Sequence, residues 1–202
     1  LTPIDDRQGG ENAVAKPEIL GVKTLYEGWG KFQKLMIRTA GGAMMEREVE
    51  DHGSAAAVLP FDRERRTAVL VRQFRPPVLH AGGPPQLLEA VAGILDEDDP
   101  AACARREAEE EVGLKLRRID PVGTVWSSPG ISTERIHLFL APYTPADRVS
   151  DGGGLDSEHE EIEVVELPLE EAWALLERGE ITDLKTFALL QALRLREPRL
   201  FG

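Results

Sequence analysis

Glu107, Glu110 and Glu111 fall within an arc of roughly 100° if the stretch around them is helical, since each residue advances the helix by about 100°. Like charges at helical spacing cost about 0.2–0.5 kcal/mol per pair unless something positive sits among them. A hard divalent cation would resolve the conflict, because Mg²⁺ takes oxygen ligands and commonly shares its site with substrate phosphates. Taken alone, a run such as Glu109 to Glu111 is a solvated acidic face. Its surroundings therefore decide the chemistry.

The helix has clear ends. Asp99 can cap it, Pro100 suits its first turn and Gly113 suits its C-terminal exit. Ala101, Ala104, Ala108 and Val112 form a small apolar stripe beside the carboxylates, which lets the helix press onto a sheet. Cys103 lies one turn before Glu107; with no second cysteine in the chain it reads as a buried or bystander thiol, and no intramolecular disulfide can form.

The segment EAVAGILDEDDPAACARREAEEEVGL, Glu89 through Leu114, resembles the Nudix box of the Nudix hydrolases. Gly93 matches the opening glycine, Arg106 and Glu107 the Arg-Glu pair, Glu110 and Glu111 the paired glutamates, and Gly113 and Leu114 the closing residues. The box is one residue shorter than usual between Gly93 and Arg106, and Asp98 or Asp99 stands where a Glu is usual. The likeness runs from about Gly53 to Leu193 and is closest to the nucleotide-sugar branch, within it to the bacterial GDP-mannose hydrolases. VRQFR at 71–75, SPG at 128–130 with Glu134 beyond it, GGG at 152–154 followed by EHEEIEVVELP, and GEITDLKT at 179–186 carry this.

The resemblance implies a site, position by position. Glu107 and Glu111 would ligate Mg²⁺, or Mn²⁺ in its place, with Glu110 near enough to help and the backbone carbonyl of Ala92 as a further ligand. Arg106 would orient Glu107 through a charge-assisted bond. Glu160 matches a late carboxylate that binds metal or activates water, and Glu158 and Glu161 remain alternatives should the alignment be shifted. Arg75 matches a phosphate-contacting arginine, Glu134 a polar contact to sugar or phosphate, and Lys185 a further substrate contact. Trp29, Arg47 and Glu48 match positions that reach into the partner subunit's site in related homodimers. Trp29 could stack on a purine and Glu48 could accept hydrogen bonds from guanine N1 and N2; the plainer readings are a core or interface aromatic for Trp29, a strand-surface ion pair for Arg47 and Glu48, and a solvated helix lysine for Lys185. His137, between Ile136 and Leu138, reads as a satisfied strand histidine.

Elements must deliver these residues to one place. Residues 1–18 form a polar lead-in. Strands are expected at 19–26, 31–39 and 43–51, then at 55–61, 67–74, 86–91, 115–126, 134–142 and 161–167, with the acidic helix after the sixth. Two more helices are expected at about 169–178 and 183–196, the latter with Leu184, Phe187, Ala188 and Gln191 on one side. The fold class is α+β, a mixed sheet covered by helices, and the resemblance implies a Nudix-type α/β/α sandwich. Residues 1–52 are expected to form an extension and a small antiparallel β dimerisation unit, and 53–202 the hydrolase domain.

With 202 residues and 42% hydrophobic content the chain can bury one respectable core. A net charge of −12 argues against nonspecific binding to nucleic acid or anionic membrane. No apolar run approaches the ~18 residues of a membrane span, and no signal-peptide pattern is present, so a cytoplasmic location is expected. The resemblance implies hydrolysis of the pyrophosphate bond of a nucleoside diphosphate sugar, GDP-mannose giving GMP and mannose 1-phosphate. ADP-ribose hydrolysis to AMP and ribose 5-phosphate is the alternative, and a non-catalytic nucleotide-sugar sensor a further one.

Overall fold

The computed structural model describes residues 15–95, 99–155 and 161–202. The chain divides into two compact units, Leu1–His52 and Gly53–Gly202. In the first, β1 (Glu18–Glu27), β2 (Lys31–Arg38) and β3 (Met44–Asp51) form a three-stranded antiparallel sheet. Gly42, at a φ of 85°, makes the second turn, where Thr39 and Ala43 close a hairpin. Among the described residues Ile19, Val22, Tyr26, Trp29, Met36 and Met44 are exposed, more than three strands can bury by themselves.

The second unit contains, in chain order, β4 (Ala55–Asp62), β5 (Thr67–Phe74), α1 (Pro76–His80), β6 (Gln86–Glu89), β7 (Val91–Ile94), α2 (Pro100–Val112), β8 (Asp120–Trp126), β9 (Arg135–Pro142), β10 (Glu163–Pro168), α3 (Leu169–Glu177) and α4 (Leu184–Arg196). Its mixed sheet runs β10-β5-β4-β9-β8, with β6 on β5 and β7 on β4; among the described residues only β4 and β9 pair in parallel. Alternation along β4 explains the layers. Ala56 and Val58 face the cluster around Ala104, Ala108 and Val112 of α2, whereas Ala57, Leu59 and Phe61 face the cluster around Leu169, Leu189, Leu190 and Leu193. The result is the expected α/β/α sandwich.

Three local readings are corrected. The sixth strand is two, β6 and β7, which leave each other at Ala90 and pair with different partners. α1 was not anticipated; Pro76 and Pro77 start it and it lasts five residues. On α4 the buried positions are Thr186, Leu189, Leu190 and Leu193, while Leu184 and Phe187 are exposed. The helix is apolar around most of its circumference, so periodicity does not choose a face. Its N-terminus does: Asp183 accepts from the Thr186 amide, and the Thr186 hydroxyl accepts from the Ala90 amide, which fixes the rotation. Among the described residues no helix is long and apolar enough to cross a membrane.

Candidate functional site

α2 is set by its ends. The Asp99 carboxylate accepts from the Ala101 amide at 3.0 Å, Pro100 occupies the first turn, and Gly113 leaves the helix at a φ of 66°. The C-terminal carbonyls are then accounted for one by one. Glu109 O takes the Gly113 amide, Glu110 O the Gly154 amide, Glu111 O the Gly153 amide, and Val112 O the Arg148 guanidinium at 3.0 Å. The triple glycine thus seals the carboxylate helix. Gly152, at a φ of 73°, sits so close that a Cβ there would meet Glu111 O at 2.5 Å.

Along this helix the carboxylates divide. The Arg106 guanidinium contacts Glu107 at 2.7 Å and donates to Glu110 at 2.9 Å, so the positive charge that relieves their repulsion is partly the helix's own. Burial pulls the Arg106 pKa down, but Glu107 and Glu110 outweigh it and hold it above the ordinary value. The Glu107 carboxylate lies against Gly93 of β7, where an added Cβ would fall 1.9 Å from Oε1. Glu111 is 2% exposed and accepts from the Ala92 amide at 3.3 Å. The structure therefore brings Glu107, Glu110, Glu111, Arg106 and Ala92 together. Cys103 is buried beneath them, with Sγ 3.4 Å from Ile94 O.

A second cluster abuts the first. Glu89, at the end of β6, is 1% exposed and takes a bidentate bond from Arg75: Nε to Oε1 at 2.8 Å and Nη2 to Oε2 at 3.0 Å. Lys185, at the start of α4, donates to Glu89 and, at 2.9 Å, to Asp183. Burial alone would raise the Glu89 carboxyl; Arg75 and Lys185 outweigh it and hold it below its ordinary value. Burial likewise lowers Arg75, but Glu89 and then the charges of Glu111 and Asp183 raise it above its usual range, which ties this cluster electrostatically to α2. The sequence pointed to Arg75 and Lys185 and missed Glu89 and Asp183. A signal existed: an acid inside LLEAVAG can be buried only with a partner.

The remaining residues are distributed as follows. Strand register carries the loop before β9, with Glu134, to the end of the sheet where β5 finishes and β7 begins its exit; the Glu134 amide donates to Ser132 Oγ at 3.1 Å. Trp29, 78% exposed and stacked on His52 at 5.2 Å, belongs to the first unit, as do Arg47 and Glu48, which line a shallow depression of about 300 Å³ with Lys34 and Glu46. His137 is satisfied by Thr124 at 3.1 Å. Glu160, Glu158 and Asp98 lie outside the described residues, and Glu161 is exposed.

Among the described residues no three acids, histidines or cysteines are gathered closely enough to hold a metal ion unaided. The donor set nevertheless fits a hard cation. Glu107 and Glu111 flank β7 with oxygen donors only, and the room that Gly93 leaves is filled by one of those carboxylates rather than by packing.

Known proteins resemble this chain in sequence and in fold. The family model described as the NUDIX domain matches residues 51–190. The chain is 48% identical over 152 residues to a GDP-mannose pyrophosphatase of Cronobacter sakazakii, covering 75% of this chain and 78% of the relative. It is 46% identical over 149 residues to a GDP-mannose pyrophosphatase of Citrobacter koseri, covering 73% and 77%. With one of Klebsiella pneumoniae it shares 40% over 177 residues, covering 85% and 88%. A solved structure titled as that of an ADP compounds hydrolase superposes with a TM-score of 0.73 at 19% identity, over 93% of this chain and 97% of that one, a likeness of fold.

Proposed function

Because the chain belongs to the Nudix family, its NUDIX domain spanning residues 51–190, we propose that it is a pyrophosphohydrolase that cleaves nucleoside diphosphate sugars, GDP-mannose foremost, to GMP and mannose 1-phosphate. The observation that carries this is the juxtaposition of an all-oxygen donor set on α2 and β7 with the Arg75–Glu89–Lys185 cluster beside it. The names of the relatives supply the base and the sugar.

Glu107, Glu111 and the Ala92 carbonyl would hold Mg²⁺, with Glu110 assisting and Glu160 as the late carboxylate that binds metal or activates water. Bound there, the ion supplies Lewis-acid charge to the phosphoryl oxygens. Arg106 orients Glu107 and Glu110. Arg75 and Lys185 donate to the diphosphate, so water attacks phosphorus while the bridging oxygen departs with the other phosphate. The exposed apolar face of β1–β3, with Trp29, Arg47 and Glu48, supports a homodimer in which these strands contribute to the partner's substrate site.

A panel of GDP-mannose, GDP-glucose, ADP-ribose and ADP-glucose, read by phosphatase-coupled phosphate release with Mg²⁺, tests the reading. GDP-mannose should give the highest kcat/KM. Preference for ADP-ribose would move the substrate to the alternative, and binding without turnover of any member would make the protein a sensor.

A further inference from the structure

Glu89 opens the segment that resembles the Nudix box without matching any of its carboxylate positions, and it is among the most buried polar groups of the described residues. It joins three elements: its own strand β6, the residue just past β5 through Arg75, and the first turn of α4 through Lys185. Asp183 continues the chain of bonds by accepting from Lys185 and capping α4, and Thr186 closes it by accepting from the Ala90 amide, next to Glu89.

The charges of this cluster balance. Glu89 and Asp183 carry two negative charges, Arg75 and Lys185 two positive ones, so it offers an incoming anion directed donors rather than net positive potential. Those donors can be counted. Arg75 spends Nε and one edge of Nη2 on Glu89, and its Nη1 has no hydrogen-bond partner among the described residues; Lys185 spends two of its three N–H bonds. A guanidinium gripped on that side cannot swivel, and its outer edge keeps one direction.

We infer that Glu89 is a positioning residue: gripping Arg75 and Lys185 together, it fixes Arg75 Nη1 and the remaining Lys185 N–H as a two-donor clamp for the diphosphate of the substrate. This rests on the proposed hydrolysis only for the identity of the ligand. The clamp depends on geometry, so it must fail when the grip is loosened even if every cation remains.

The test measures calorimetric affinity for a methylene-bridged, uncleavable GDP analogue in wild type, Glu89→Gln, Arg75→Met and the double variant. Each single variant should weaken binding by at least about tenfold, and the double should lose less than the product of the two single losses, because Glu89 acts in part through the arginine. Fold-changes that multiply in the double, or wild-type affinity in Glu89→Gln, would overturn the clamp. Should Glu89→Gln not fold, Glu89→Asp keeps the charge but is one methylene too short to hold both cations. It should keep its Tm within a few degrees and still lose about tenfold in affinity, and wild-type affinity there overturns the inference. Failure of wild type to turn over any sugar nucleotide would strike the proposed reaction, while the binding cycle still decides the clamp.

Discussion

Gly93→Ala separates the seating of a candidate metal ligand from the stability of the fold. A Cβ at this position would stand 1.9 Å from Glu107 Oε1 and 2.0 Å from its Cδ, so the carboxylate must retreat by about 1.5 Å to reach ordinary van der Waals contact. The obstructing atoms are the far end of a flexible side chain, and Gly93 does not occupy the left-handed region, so the backbone has no reason to move. Alanine also reduces the freedom of the unfolded chain, worth about 0.4–1 kcal/mol, and Tm should stay level or rise by up to about 4 °C. Activity should not follow. A displacement of about 1 Å at a catalytic constellation can cost about 10²-fold, or roughly 2.7 kcal/mol, and kcat/KM for GDP-mannose should fall by that order. Coupled phosphate release at saturating Mg²⁺ and differential scanning fluorimetry give the two numbers. Wild-type kcat/KM with an unchanged Tm would refute the role of Glu107 at this seat, and a Tm drop of about 10 °C would refute the claim that the side chain yields first.

Glu111→Gln keeps an acceptor for the Ala92 amide and so should leave Tm nearly unchanged while kcat collapses; wild-type turnover would remove this residue from the metal site. Gly152→Ala combines a φ of 73° with a Cβ 2.5 Å from a backbone oxygen, so strain of about 1–2 kcal/mol plus the clash should lower Tm by at least about 4 °C, measured by calorimetry. In acid, Glu89 behaves as a group whose folded pKa lies below its unfolded 4.5: its contribution is complete above that value and is lost as pH falls through the folded pKa. Urea midpoints of wild type should drop more steeply below about pH 4.5 than those of Glu89→Gln, and parallel curves would deny the linkage. Mixing inactive Glu111→Gln chains with inactive Trp29→Ala, Glu48→Ala chains should restore some turnover if the strands of one subunit complete the site of the other; no recovery despite demonstrated subunit exchange would exclude that arrangement.

What the sequence disclosed best was α2, because its signals are local. Asp99, Pro100 and Gly113 act within a few residues of themselves, and Ala104, Ala108 and Val112 are buried as their spacing requires. The α4 face was misjudged for the opposite reason. A helix that is apolar nearly all round is oriented by bonds at its end, and those run to Ala90, 96 residues away. Glu89 was hidden in the same way: its partners stand 14 and 96 residues off, and a single acid in an apolar run has no period to betray it. Pattern shows which elements exist, and the polar bonds between them show where a site sits.

Two kinds of carboxylate meet here, and their partners differ. Glu89 is closed to solvent and already saturated by Arg75 and Lys185, so it has little left to offer a ligand and serves to hold its partners. Glu107 is paired with Arg106 against Gly93, and the Glu111 carboxylate accepts from the Ala92 amide of β7 at 3.3 Å. The helix that carries them is pinned at Asp99 in front and by Arg148, Gly153 and Gly154 behind. The described acids do not converge unaided, and under the proposed function a divalent ion and a diphosphate would draw the α2 acids together while Glu89 keeps its two cations.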